Sequence, residues 1–205
     1  MIISFLGASI FLSLIPGPDN IFVLTESLTE GQRNGIAISF GLGLGVLIHT
    51  IAATTGLSII IQKSVIAFSI IKYLGALYLF YLAFQDFKEK KPELNLELEN
   101  TGKQKGLFFL IRKGFLMNIL NPKVSLFFIA FLPQFLSANG CNVTIQMIIL
   151  GLIFMLQSIL VFCIISILSS RLTKYANSLK FWNLAKWGKI SVLSILGITL
   201  ALSKK

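Results

Sequence analysis

Asp19 follows Pro16-Gly17-Pro18 and precedes Asn20, in the middle of an apolar run from Ile2 to Leu24. An aspartate at the centre of a membrane-crossing helix costs about 2.5–3.5 kcal/mol on insertion scales, so a carboxyl group there needs a water-filled cavity, a partner charge or a proton. Its chemistry would be to ligate a substrate ammonium or to carry a proton. Asp19 is also placed to cap the half-helix that restarts after Pro18, because free backbone N–H groups at a helix start attract acids. The two roles are compatible. A second break, Asn121-Pro122-Lys123, interrupts the first long apolar run of the second half. Lys123 could neutralise Asp19, help hold a substrate carboxylate, or snorkel to an interface. His49, the sole histidine, lies on one helical face with Gly41 and Gly45 at spacing i, i+4, i+8. Small residues there allow close helix approach, leaving the histidine either as a hydrogen-bonded structural residue or as a proton-coupling group.

The elements that hold these residues follow from composition. The chain has 205 residues, 55% hydrophobic and 13% charged, with a mean hydropathy of +0.84. A soluble domain would be about a quarter charged. The expectation is an all-α polytopic membrane protein. Six apolar runs, 2–24, 36–61, 65–86, 107–137, 143–168 and 186–203, approach the roughly 20 residues that a crossing requires. The fourth is too long for one straight helix, which fits a break at Asn121-Pro122. The sixth is short, and it crosses only if Lys186, Lys189, Lys204 and Lys205 snorkel or the bilayer thins locally.

Arg33, then Lys88, Lys90, Lys91, Lys103 and Lys105, then Arg171, Lys174 and Lys180 fall in loops after runs one, three and five; Lys63, Lys204 and Lys205 fall on the other side. The positive-inside bias puts both termini outside the cytoplasm. The mixed-charge segment 87–106 reads as a cytoplasmic linker between repeat one (1–86) and repeat two (107–205) of a single transporter domain. Three crossings per half force the halves into inverted topology, with runs one and four as corresponding broken helices, the sequence pointer to a substrate path near the midplane. That path comprises Pro16, Gly17, Pro18, Asp19, Asn20, Asn121, Pro122 and Lys123. Asp19 is the only acid expected inside a run. Residues 171–189, with Tyr175, Phe181, Trp182 and Trp187 among lysines, read as an interfacial amphipathic helix on the cytoplasmic leaflet.

A net charge of +10 belongs to these loops rather than to a nucleic-acid surface. Cys141 and Cys163 form no CxxC and no metal-ligand cluster, and act as small apolar residues. No metal or cofactor is expected. Without paired carboxylates, a second histidine or a glycine-rich phosphate loop, an enzyme is not expected either. The N-terminus lacks a basic region and a small-residue cleavage site, so the first run is expected to be retained.

These motifs, in order, resemble the LysE/RhtB family of bacterial amino-acid exporters. The resemblance is carried by Pro16-Gly17-Pro18, Gly31 and Gly35, Gly41-x-Gly43-x-Gly45, Lys72-x-x-Gly75-Ala76-x-Tyr78-Leu79, Asn121-Pro122-Lys123-x-x-Leu126-Phe127-Phe128 and Phe131-Leu132-Pro133-Gln134-Phe135. It implies export of amino acids or close derivatives across the bacterial inner membrane by proton antiport, with Asp19 and His49 as coupling candidates and Gly41, Gly45 and Gly75 as packing glycines. Cation exporters of the family tend to carry an acid where Phe127 stands and another near His49; their absence favours the homoserine/threonine-type branch and a neutral substrate. The expected partners are that substrate, protons and the lipid bilayer, and a homo-oligomer is compatible. The rival readings are an inorganic-ion or metal exporter of related topology, a membrane thiol-redox carrier, and a non-transporting structural subunit. The cysteine positions disfavour the redox carrier.

Overall fold

The computed structural model describes residues 2–15, 17–57, 64–88, 106–137, 140–169 and 179–202. Pro16, most of the expected linker (89–105) and Arg171, Lys174 and Tyr175 lie outside the described residues. The eight α-helices among them are α1 (Ile2–Leu14), α2 (Pro18–Thr29), α3 (Gln32–Ala52), α4 (Val65–Lys88), α5 (Leu107–Ile119), α6 (Pro122–Leu126), α7 (Val143–Ile167) and α8 (Leu179–Leu202). Helix α3 ends in a π turn, Ala53–Leu57, and α6 runs on through a π turn (Phe127–Phe131) and a 3₁₀ turn (Leu132–Phe135). The prolines explain two of the boundaries. Pro18 and Pro122 each open a helix, where the missing N–H has no intrahelical partner to lose.

The helices are apolar on more than one face. On α3, Ile38, Leu42 and Val46 are fully buried, while Phe40, Leu44, Ile48 and Ile51 are exposed. A helix greasy toward both core and exterior has lipid as its outer solvent. Residues Gln32–Gly56 and Val143–Ile167 are each long and apolar enough to cross a bilayer. Two bent pairs also qualify when each is taken together: α1 with α2 at 58°, and α5 with the helix from Pro122 to Phe135 at 51°. The chain is an all-α polytopic membrane protein.

Helix α3 packs between α5 and α7, α1 lies on α7, and α4 packs along α8. The α3–α5 contact is made backbone to backbone. A Cβ at Gly41 would overlap the Ile111 carbonyl, and one at Gly114 would overlap the Ile38 carbonyl. At Gly45 a Cβ would come within 2.7 Å of the Asn118 Cβ. At Gly75 it would meet the Ala130 Cβ at 2.5 Å, so α4 rests against the broken helix. Gly31 joins α2 to α3 with a φ of 97°, a conformation that favours glycine. One apolar cluster, including Phe5, Leu12, Val46, Phe127, Phe128 and Phe154, ties residues from both halves into a common core.

Two expectations are corrected. The last helix is continuous over Leu179–Leu202, 24 residues, so the described part of the aromatic segment and the sixth run form one helix. Within it, Trp187 packs on the neighbouring helix, meeting Phe87 of α4 edge-on at a centroid distance of 6.0 Å. Phe87 and Lys88, expected in the linker, accordingly finish α4. The second correction concerns acids. Helix α2 continues past Leu24 to Thr29 and buries Glu26, at 6% exposure, so Asp19 is not the only in-helix acid. The charge of Glu26 ended the apolar run on paper, but the helix proceeds because Ser27 hydrogen-bonds Ser166 of α7 at 2.9 Å and holds that turn inside.

Candidate functional site

The two breaks meet. At the first, α1 ends at Leu14, and its terminal carbonyls lack intrahelical donors. Three of them are supplied by side chains. The Lys123 ammonium donates to the Leu12 and Ile15 carbonyls at 3.3 Å each, and the Asn20 amide donates to the Ser13 carbonyl at 2.8 Å. A cation at a helix C-terminus also complements the dipole. Gly17 then crosses the gap in an extended conformation, and α2 begins at Pro18 with Asp19 in its first turn.

At the second break, Asn121 does two jobs with one side chain. Its Oδ1 accepts from the Lys123 backbone N–H at 3.0 Å, capping α6, and its Nδ2 donates to Asp19 Oδ2 at 2.6 Å. Asp19 and Asn121 are 1% and 4% exposed. One turn earlier, the Asn118 carbonyl accepts from the Asn121 N–H at 2.9 Å and from His49 Nε2 at 3.1 Å. Because that acceptor is a carbonyl, the His49 ring donates from Nε2. The ring also lies against Phe128, centroids 5.8 Å apart.

A narrow cleft opens between these groups, with room for roughly one water. Asp19, Lys123, Asn118, Ser13 and Ser158 supply its polar lining, and Leu12, Val124, Phe154 and Phe162 the apolar part. Gln157 of α7 donates to Ser13 Oγ at 3.0 Å. The buried side-chain atoms left without a hydrogen-bond partner among the described residues are all oxygens: Asp19 Oδ1, Asn20 Oδ1, Asn118 Oδ1 and Gln157 Oε1. An unmet buried acceptor costs about 1–3 kcal/mol. Two of the four, on Asp19 and Asn118, belong to residues that line the cleft, and the other two belong to side chains bonded to Ser13, so the cleft is a place that receives donors.

Phe127 packs on Phe5, Phe131 and Phe154, and Phe135 packs on Phe5 and Phe131. These rings join α1 to the continuation of α6, and Phe154, on which Phe127 packs, also lines the cleft. At the far end of α2, Ser27, Ser166 and the Gln32 carbonyl form a hydrogen-bonded chain across α2, α3 and α7.

Among the residues read from sequence, the fold brings Gly17, Pro18, Asp19, Asn20, Asn121, Pro122 and Lys123 together. It sets His49 behind Asn118, one layer from the cleft. Asn118 and Gln157 were missed in the sequence, although each is a lone amide inside a long apolar run, a signal of the same kind as an in-membrane charge.

The sequence profile of the LysE type translocator family matches residues 10–204. The uncharacterized membrane protein YrhP of Bacillus subtilis (strain 168) is 33% identical over 186 residues, covering 88% of this chain and 88% of its own length. An uncharacterized membrane protein of Vibrio cholerae serotype O1 is 27% identical over 176 residues, covering 86% and 84%. No solved structure matches. With a translocator profile spanning both breaks and nearly every helix, the chain belongs to the LysE type translocator family, a family of membrane transporters rather than enzymes.

Proposed function

We propose that the chain is a secondary transporter that exports neutral amino acids or close derivatives from the cytoplasm by proton antiport, with the cleft at Asp19 as its substrate site. The observation that supports this reading most is the reciprocal contact of the two breaks. Asp19 reaches from one break to Asn121, and Lys123 reaches from the other to the end of α1. Anything that separates the broken helices must therefore rearrange the site, which is what alternating access demands.

In this mechanism the chain crosses the bacterial inner membrane six times, as two inverted repeats with both termini outside. Helices α4 and α8, 24 residues each, supply the third and sixth crossings, a length of about 36 Å at 1.5 Å per residue. The substrate enters from the cytoplasmic side once the Ser27–Ser166 tie opens, and its amino group meets Asp19. Parting of the Phe5, Phe127 and Phe135 rings then releases it outward. Proton transfer at Asp19, with His49 supporting the Asn118 turn or accepting the proton itself, couples release to inward proton flow.

Efflux of labelled amino acids from cells with and without the protein tests the proposal. Accelerated loss of one or more neutral amino acids, abolished by an uncoupler, is the expected result. Equal efflux across the whole panel would overturn it.

A further inference from the structure

The geometry points to a cleft that recognises its substrate through a protonated primary amine alone and leaves the carboxylate unread. This rests on the export reading and deepens it. The cleft has room for a group of about the size of water, which an ammonium head matches. The unmet buried side-chain atoms among the described residues are acceptors only: Asp19 Oδ1, Asn118 Oδ1, Asn20 Oδ1 and Gln157 Oε1. Asp19 and Asn118 line the cleft directly, at 1% and 2% exposure. Asn20 and Gln157 sit behind Ser13, on its carbonyl and its hydroxyl respectively. An ammonium brings three donors and a positive charge to such a set.

The expected carboxylate anchor, Lys123, lines the same cleft but directs its ammonium to the end of α1. Lys123 Nζ serves the Leu12 and Ile15 carbonyls, and withdrawing it for a substrate would uncap the end of α1. Its backbone N–H is likewise taken by Asn121 Oδ1. Carboxyl-blocked amino acids are therefore substrates of the same standing as free ones, and N-acylated amino acids are excluded. The oxygen-only set would also suit a monovalent metal ion such as Na⁺, so the test separates the two.

Thermal unfolding of the purified full chain in detergent is measured with L-threonine, L-threoninamide or N-acetyl-L-threonine, each in choline chloride and in sodium chloride. The amide and the free amino acid should each raise Tm by roughly 2–4 °C at about five times Kd, and N-acetylthreonine should leave it unchanged. Asp19→Asn should remove both shifts. Stabilisation by threonine but not by its amide would overturn the proposal by showing that the carboxylate is read. Stabilisation by N-acetylthreonine, by sodium chloride alone, or by none of the three would overturn it as well. Each outcome is independent of the cell efflux panel, which tests export itself.

Discussion

Asp19 and Lys123 hold equivalent positions, each directly after a proline that opens a helix, and each side chain crosses to the other break. The carboxyl group of one finds the amide of Asn121; the ammonium of the other finds the carbonyl end of α1. An acid in the first turn of α2 suits that helix's own dipole. A lysine in the first turn of α6 does not, and is explained by the α1 terminus it serves.

Asn121 is the hinge of that exchange. Asn121→Ala should remove a helix cap, about 1 kcal/mol, and a hydrogen bond to a carboxyl group, about 1.5–3 kcal/mol if the acid is ionised. Export should fall at least tenfold, with a lower thermal midpoint in detergent. Export and melting both at wild-type levels would show that the Asp19–Asn121 contact carries neither function nor stability.

Lys123→Met keeps the side-chain length and removes the donors. Leaving the Leu12 and Ile15 carbonyls unserved should destabilise the chain by about 1–3 kcal/mol. Transport of threonine and of its amide should drop by the same factor. A rise in KM confined to the free amino acid would instead place Lys123 on the substrate carboxylate.

The seam between α3 and α5 leaves no room for side chains at Gly41 or Gly114. Gly41→Val should lower the amount of protein in the membrane severalfold, since overpacking costs about 1–3 kcal/mol and here the obstacle is backbone. Gly7→Ala, where a Cβ has nothing within 4 Å, is the matched control and should leave the level unchanged. Immunoblots of membrane fractions give the comparison.

Orientation can be read from the cysteines. Cys141 is exposed in the turn before α7, and the proposed topology puts that turn outside the cell. A membrane-impermeant maleimide should label intact spheroplasts through Cys141, and Cys141→Ser should abolish the labelling. Labelling only after lysis would invert the assignment.

The positions of both breaks were legible in the sequence because proline acts locally: it removes an N–H and excludes the preceding turn. The contact between them was not legible. Asp19 and Asn121 are 102 residues apart in the chain, and no periodicity encodes which atoms of two broken helices will meet. Lys123 was noticed for its charge, but its partners are carbonyls that exist only where α1 stops. Asn118 and Gln157 escaped because a neutral amide in an apolar run signals less than an ion. Glu26 and the start of α8 were misjudged for one reason. Charges and aromatics were taken to end a crossing, whereas tertiary packing on α7 and α4 carried both helices further.

If export passes through the cleft beside Asp19, transport depends on that carboxyl group. Efflux of a labelled substrate from cells expressing wild type or Asp19→Asn, at matched membrane levels, measures it most directly. Asp19→Asn efflux should fall to that of cells lacking the protein. Efflux close to wild type would contradict it.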